Sequence, residues 1–376
     1  MLLLSAPNIA GNEWKYVQEC LDTGWVSSVG SYVTRFENVL AEFCSCKYAV
    51  ATSNGTMALH IALLLAGVKE NDYVIAPNVT FVASINAIKY TGADPVLLDV
   101  DAQTWQMDLD LLEEFLEKET DKRNGELFYI KDGRTIRCVM PVHVLGNLCD
   151  MDRLKELAQR FHLVMVEDAA ESLGTYYKGR HTGGFGLLGC FSFNGNKIIT
   201  TGGGGAIVTD NEELKQKARH LTTQAKCDPF EYIHDEVGYN YRLVNVLAAM
   251  GVAQMELLPS FIRQKKRIDA FYRKELSGTG DIRFQQIERH ADCNCWLFTF
   301  MTSKQKDVLR VLNDNHMQAR PLWVPMNQLK MLRDDIYYTR DDRSRFIHQY
   351  CLSIPCSTNI KDVEMEAVVE KIKSVY

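Results

Sequence analysis

The sequence lacks several features that would assign it to common classes of protein. It has no long run of lysine and arginine, and its formal net charge is -6, which argues against a nucleic acid or an anionic membrane as partner. No apolar run approaches the length of a membrane span, and the opening segment Met1–Trp14 has neither a basic flank nor a cleavage-like site, so no anchor or signal peptide is expected. A small anionic ligand suits this charge better than a polyanion.

Cysteine and glycine are present, but not in the patterns that bind metals or dinucleotides. The 11 cysteines are scattered without C-x-x-C spacing, which predicts reduced thiols in a cytoplasmic protein and no metal site. The glycine run Gly202–Gly205 lacks the G-x-G-x-x-G spacing and the distal acid of a dinucleotide site.

The sequence does contain a regular alternation of short strands and helices. β-branched runs at Tyr48–Thr52, Tyr73–Ala76 and Pro95–Val100 are each followed by a helical pattern. This order predicts an α/β fold with a mostly parallel sheet and helices on both faces. The chain has 376 residues, more than one ordinary core holds, and the alternation stops where a long helical pattern begins. We therefore predict a large domain over residues 1–245 and a smaller one over 246–376.

Polar residues follow the first predicted strand. In parallel sheets, ligands bind at the carboxyl ends of strands. Ser53, Asn54, Gly55 and Thr56 lie between that strand and its helix, where free amide groups and small side chains form an anion site. An ordinary helix N-cap with a turn glycine remains an alternative.

A second apolar strand, Leu163–Val166, ends in Glu167, Asp168 and two alanines. A carboxylate at the end of a buried strand is costly without a cationic partner. A protonated pyridine nitrogen would supply that partner, and the alanines leave room for a flat ring. A helix N-cap acid or a metal ligand at Asp168 is the alternative, although no cluster with metal-ligand spacing accompanies it.

Lys197 follows a short aromatic strand and precedes the four glycines of Gly202–Gly205. Glycines let a chain bend tightly and pack closely around a bulky group. A lone lysine is normally a solvated surface charge, but between apolar and glycine-rich segments desolvation favours the neutral, nucleophilic amine. A nucleophilic lysine and an acid for a pyridine nitrogen together are what a pyridoxal 5′-phosphate (PLP) enzyme requires.

A fourth motif, Gly238–Leu243, precedes the long helix and reads Gly-Tyr-Asn-Tyr-Arg-Leu. If this segment is extended, Asn240 and Arg242 point the same way. A structural turn that closes onto the helix explains the motif equally well.

Taken together and in this order, the four motifs resemble the DegT/StrS-type family of sugar-nucleotide aminotransferases, a branch of the fold-type I PLP enzymes. The resemblance runs from Trp25–Gly30 to Arg320–Trp323. It implies a mostly parallel, seven-stranded type of sheet with helices on both faces and a smaller C-terminal α+β domain. The FNGNK stretch that ends at Lys197 and the GYNYRL stretch are similar to those of the 4-aminotransferases of the bacillosamine and legionaminic acid pathways.

The resemblance also implies a role for individual residues. Lys197 would carry PLP as a Schiff base, and Asp168 would pair with its pyridinium nitrogen. The other residues implied at the site are Gly55, Thr56 and Ser192 for the phosphate, Phe81 and Glu171 for the two sides of the ring, Asn240 for the cofactor phosphate of the neighbouring subunit, and His143 for the substrate.

Two further features bear on the resemblance. Many members carry an acid in the glycine run after the lysine, and because this chain has glycine there, no role of that acid carries over. Some relatives replace the lysine by histidine and dehydrate sugars, a variant that Lys197 excludes. Arg320 and Trp323 are further candidates for the sugar pocket, or else ordinary core or surface residues.

The expected reaction is transfer of an amino group from L-glutamate to a UDP-linked 4-keto-6-deoxy-N-acetylhexosamine, which gives the 4-amino sugar. The expected assembly is a cytoplasmic homodimer with shared active sites. Two alternatives remain, a 3-aminotransferase on a dTDP-linked keto sugar and a non-catalytic PLP-binding regulator.

Overall fold

A computed structural model describes residues 1–228 and 230–376 of the chain. The helices are α1 (Glu13–Thr23), α2 (Ser31–Cys44), α3 (Gly55–Leu65), α4 (Val82–Tyr90), α5 (Leu109–Lys118), α6 (Met151–Arg160), α7 (Glu212–Thr222), α8 (Asn245–Leu276), α9 (Gln305–Asp314), α10 (Arg343–Tyr350) and α11 (Asp362–Lys373). The strands are β1 (Tyr48–Thr52), β2 (Tyr73–Pro77), β3 (Asp94–Leu98), β4 (Thr120–Arg123), β5 (Glu126–Tyr129), β6 (Thr135–Val139), β7 (Val164–Asp168), β8 (Tyr176–Tyr177), β9 (Arg180–His181), β10 (Leu188–Ser192), β11 (Gly205–Thr209), β12 (Arg283–Phe284), β13 (Ala291–Asp292), β14 (Thr299–Met301), β15 (Arg320–Pro321), β16 (Ile336–Tyr338) and β17 (Cys351–Ser353).

The large sheet carries the alternation that the sequence predicts. Its strands lie in the order β1-β11-β10-β7-β6-β2-β3-β16, and the β4–β5 hairpin is added beside β6. Neighbouring strands from β10 to β16 run parallel, whereas β11 runs antiparallel to both β1 and β10. All five residues of β2 are buried, as expected for a strand with a covered face on each side. The predicted α/β class with a mostly parallel sheet is confirmed.

The second half of the chain builds a smaller sheet in the order β12-β14-β17-β15. The helices α8, α9 and α11 contribute to one apolar core with this sheet, so the expected α+β character is present. The long helix α8 begins at Asn245, which is where the domain boundary is predicted.

Two segments cross that boundary. The strand β16, from the C-terminal part, pairs in parallel with β3 of the large sheet. In the other direction, the N-terminal residues Leu2 and Leu4 bond the C-terminal part, where Gln318 N–H donates to Leu2 O (2.8 Å) and Cys356 N–H to Leu4 O (2.9 Å). Each part of the chain therefore contributes to the packing of the other.

Helix α8 is the one helix in the described residues that is long and apolar enough to cross a membrane by length and composition. Its most apolar window has a mean hydropathy of 1.3, and 56% of that window is buried inside the protein. Because its apolar residues pack against α1, α2 and the smaller sheet, we interpret it as a core helix.

Candidate active site

A cavity of about 330 Å³ opens at the carboxyl ends of β1, β7 and β10. This is the edge of a parallel sheet at which ligands bind. Most of the residues implied by the sequence lie in its wall, namely Gly55, Thr56, Phe81, Asp168, Glu171, Ser192 and Lys197. The structure therefore brings together Phe81 and residues from the first three motifs, and it leaves His143, Arg320 and Asn240 outside this wall.

One end of the cavity is formed by the start of α3. Asn54 caps the helix, since its side chain accepts a 2.9 Å hydrogen bond from Met57 N–H. The amides of Gly55 and Thr56 belong to the first turn and have no partner within the helix. A Cβ on Gly55 would lie 2.8 Å from Ser192 Cβ, so only glycine allows this close approach of α3 to β10. The result is a small cradle with amide and hydroxyl donors, which suits a phosphate.

The glycine run packs against the same cradle. Gly202 has a φ of +81°, a left-handed conformation that favours glycine. A Cβ on Gly205 would lie 2.4 Å from the backbone of Asn54. The run therefore lets β11 start directly beneath the loop that opens α3.

Asp168 lies deeper in the cavity, at the end of β7, and is 3% exposed. Its Oδ2 accepts a 2.6 Å hydrogen bond from Ser84 Oγ, and its Oδ1 a 3.1 Å bond from Ala170 N–H. Burial raises the pKa of Asp168, and these two bonds together with the charge of Lys197 oppose the rise. A cation in this position would stabilise the carboxylate further, which fits a protonated pyridine nitrogen.

Lys197 reaches the cavity from the loop after β10. Its Nζ lies 3.2 Å from Glu171 Oε1 and 3.9 Å from the centroid of the Trp296 ring. Burial raises the pKa of Glu171, while the Lys197 charge and a 2.9 Å hydrogen bond from Leu145 N–H oppose this rise. The amine thus sits among apolar and acidic groups and is not a solvated surface charge.

Phe81 also lines the cavity. It precedes α4 and is 53% exposed, although it is a large apolar side chain. Its ring centroid lies 6.4 Å from that of Trp323, at an angle of 59°. An aromatic ring that stays exposed in the wall of a cavity is suited to stacking on a flat ligand.

The structure does not place His143 in the cavity wall. His143 is 1% exposed, and its Nε2 lies 3.0 Å from Glu167 Oε2. Neighbouring residues of an extended segment point to opposite sides, so Val142 faces the cavity and His143 faces away from it. His143 therefore lies in a buried position behind the cavity wall, and its expected place near the substrate stays a prediction.

Glu167 is held there by more than His143. Its oxygens also accept hydrogen bonds from the amides of Gly183, Phe185 and Gly186, at 2.6 to 2.8 Å. Burial raises the pKa of Glu167, but the bonds from His143 and from the glycine amides outweigh burial, and the pKa is lowered. The pair therefore anchors the loop after β9 beneath the site.

Arg320 is exposed and lines an adjoining cleft of about 360 Å³. Its guanidinium donates to Asn313 Oδ1 and to Ala319 O. The cleft shares Trp296 and Trp323 with the main cavity, so Arg320 lies at its extension and not beside Lys197.

Asn240 is exposed on the surface of the chain. The tyrosines on either side of it stack on each other, with ring centroids 4.9 Å apart, and Tyr239 packs edge-on against His60 at 5.0 Å. Arg242 does not follow Asn240 outward as period-two spacing predicts, because it is buried in an ion pair with Glu37.

Sequence reasoning missed two residues of the site, Ser84 and Trp296. Both belong to elements that carry no motif of their own, and only the fold brings them to Asp168 and Lys197. A possible metal-binding group, His220, Asp235 and Glu236, occurs within the described residues. It lies outside the cavity wall, and Lys217 already pairs with Glu236.

The cradle, the buried acid and the enclosed lysine define a PLP-binding α/β enzyme. The family model described as the DegT/DnrJ/EryC1/StrS aminotransferase family matches residues 7–373, and the chain belongs to this family. It is therefore a PLP-dependent sugar aminotransferase, a class that uses a nucleotide sugar and an amino donor.

Individual relatives extend over the whole chain. GDP-perosamine synthase of Escherichia coli O157:H7 is 35% identical over 373 residues, which cover 98% of this chain and 97% of that protein. GDP-perosamine synthase of Caulobacter vibrioides is 34% identical over 382 residues, with 99% and 97% covered. The crystal structure of S. venezuelae DesV in complex with a ketimine intermediate has a TM-score of 0.87 and 27% identity, with 97% of this chain and 94% of that chain covered. The expected fold-type I architecture is confirmed.

Proposed function

We propose that this enzyme transfers an amino group from L-glutamate to C4 of a 4-keto-6-deoxy hexose linked to a nucleoside diphosphate. The observation that carries the proposal is that Lys197 and Asp168 both reach one enclosed cavity whose far end is a phosphate cradle. The two relatives named GDP-perosamine synthase support a nucleotide-linked 4-amino product, because perosamine is a 4-amino-4,6-dideoxy sugar.

Different residues of the cavity would bind different parts of PLP. The amides of Gly55 and Thr56 and the hydroxyl of Ser192 would hold the phosphate, and Asp168 would pair with the ring nitrogen. Phe81 would cover one face of the ring. When bound, PLP supplies an aldehyde that bonds amines and a ring that accepts electron density from the adjacent carbon.

Lys197 has two roles in the proposed reaction. It would bond PLP covalently, and when free of that bond its amine would lie beside the reacting carbon. There Lys197 Nζ accepts a proton and then returns it, as general base and then general acid. Because donor and keto sugar use the same cavity in turn, ping-pong kinetics are expected.

Two nucleotides are candidates. The FNGNK and GYNYRL stretches favour the UDP-linked N-acetylated sugar. The relatives named GDP-perosamine synthase, at 34% and 35% identity over nearly the whole chain, favour a GDP-linked sugar. Arg320, in the cleft that extends the cavity, is a candidate contact for the part of the substrate beyond the sugar ring.

The active site is proposed to be shared between two subunits. Asn240 is exposed and lies outside the cavity of its own chain, which suits a side chain that reaches the cofactor phosphate of a partner. A homodimer would then complete each phosphate site in trans.

Product analysis tests the proposal. The purified enzyme is incubated with ¹⁵N-labelled L-glutamate and, separately, with UDP-, GDP- and dTDP-linked keto sugars, and the aminated carbon is read by NMR. We expect ¹⁵N at C4 and no product from Lys197→Ala. Amination at C3 would identify the dTDP-sugar alternative, and the absence of any turnover in a PLP-loaded protein would favour the regulator.

A further inference from the structure

Trp296 closes the cavity above the amine of Lys197. The centroid of its ring lies 3.9 Å from Lys197 Nζ, and the side chain is 2% exposed. From another direction, Glu171 Oε1 lies 3.2 Å from the same nitrogen. The amine of Lys197 therefore contacts an indole face and a carboxyl group at the same time.

The indole of Trp296 is fixed in this place. Its Nε1–H donates a 2.8 Å hydrogen bond to Asn196 O, next to Lys197 in the chain. Its backbone carbonyl accepts a 2.7 Å hydrogen bond from Nζ of Lys265, which is 1% exposed. The ring cannot turn away from Lys197 without loss of the bond to Asn196.

Asn294 joins the two groups that face the amine. Its Oδ1 accepts from Trp296 N–H at 3.0 Å, and its Nδ2 donates to Glu171 O at 2.8 Å. Asn294 is fully buried, and it ties the backbones of these two residues together. The amine of Lys197 lies in the space between them.

We propose that Trp296 is a catalytic residue, which together with Glu171 forms a holding site for the amine of Lys197 after that amine, free of the cofactor, has accepted a proton. A cation over an indole face is stabilised most strongly where water is excluded. Lys197 Nζ gains the proton and later gives it up, while Trp296 and Glu171 keep their covalent state. The inference rests on the proposed role of Lys197 and is independent of which sugar is used.

The test measures the reactivity of Lys197 in the full-length chain freed of cofactor. Native protein and Trp296→Leu are treated with an amine-acylating reagent, and labelling of the Lys197 peptide is followed by mass spectrometry across pH. Near neutral pH we expect labelling about tenfold faster in Trp296→Leu, because the protonated amine loses a desolvated cation–π contact. At about pH 11, above the ordinary range of a lysine amine, the ratio should fall towards one.

Two results would overturn the proposal. A ratio that stays constant across the pH range would mean that removal of the indole only opens access for the reagent. A ratio of one at every pH would mean that Trp296 does not act on the amine. Either result counts against the proposal if the variant unfolds at the same temperature as the native protein, which shows that it is folded.

Two further variants test the same contacts of Lys197. Trp296→Phe retains a π face and should give an intermediate ratio, which covers the case in which the leucine variant does not fold. Glu171→Gln should accelerate labelling near neutral pH in the same way, because the carboxylate is lost.

Trp14→Leu is the matched control. It changes a tryptophan that is 81% exposed and outside the cavity, and its Lys197 should be labelled at the native rate. A different amination product would contradict the proposed function and leave this labelling pattern unchanged.

Discussion

Ser84 Oγ donates a 2.6 Å hydrogen bond to Asp168 Oδ2. The bond joins the first turns of α4 to the end of β7, and the backbone amide of Ala170 holds the other carboxylate oxygen. The fold therefore orients both oxygens of this buried acid. This preorganisation is what an acid that pairs with a ring nitrogen requires.

Ser84→Ala should weaken PLP binding. The change removes a hydrogen bond to a charged group, which is worth about 1.5–3 kcal/mol, or roughly tenfold or more in affinity. Titration of the cofactor-free protein with PLP, followed by fluorescence, measures the effect. Ser84→Thr keeps the hydroxyl and should bind PLP at close to the native affinity, and equal affinity in the alanine variant would remove Ser84 from the site.

Asp168→Asn should impair turnover far more than folding. It removes the charge partner of a protonated ring nitrogen in a dry site, and the expected loss in kcat/KM is about 10³-fold. Steady-state kinetics with the accepted keto sugar measure the loss, and thermal unfolding provides the control for folding. Near-native rates would exclude Asp168 from the reaction.

Mixed dimers test the shared active site. Lys197→Ala and Asn240→Ala should each be strongly impaired as separate proteins. After the two are mixed and allowed to exchange subunits, half of the dimers are mixed, and each contains one intact site, so about a quarter of the native activity should return. No recovery, with subunit exchange verified by mass spectrometry, would show that Asn240 does not act in trans.

The buried ion pair of Glu37 and Arg242 should contribute to stability. The two side chains are 11% and 4% exposed, and removal of one partner leaves a buried charge unpaired. Arg242→Met should lower the free energy of unfolding by about 3–5 kcal/mol, measured with urea. The exposed pair of Arg123 and Asp121 is the matched control, since Arg123→Ala should cost less than about 1 kcal/mol.

The stabilising contribution of Glu167 should be lost in acid. Its pKa in the folded protein is lowered from 4.5, so its contribution is complete above that value and is lost as the pH falls through the lower folded-state value. Glu167→Gln removes this dependence, although it also weakens the bonds to His143 and the loop amides. Unfolding in urea at neutral pH and near pH 4 should show a smaller acid-induced loss for the variant than for the native protein. An equal loss in both would contradict the assignment.

Much of the fold can be predicted from the sequence because its elements are short and regularly spaced. The strand predicted at Tyr48–Thr52 has those bounds in the structure, and the site residues follow strands of one parallel sheet. The strand β16 could not be predicted, since its three residues lie in the C-terminal part and join the large sheet only after the chain has folded back.

Site residues that belong to a motif within one segment can be predicted from the sequence. Those that reach the site only through the fold are missed. Trp296 reaches Lys197 from the segment before β14, about a hundred residues further along the chain, and nothing near it in sequence marks it. His143 is different, because its neighbour takes the place in the cavity wall. Val142 pairs with Asp168 and lines the cavity, so alternation turns His143 towards Glu167.

Reduction with borohydride tests the central claim, that Lys197 is the residue bonded to PLP. The PLP-loaded protein is reduced and digested, and its peptides are identified by mass spectrometry. We expect the added mass of the reduced cofactor on the peptide that contains Lys197, and its absence in Lys197→Ala. A cofactor fixed to another lysine such as Lys265, or no fixed cofactor at all, would contradict the account.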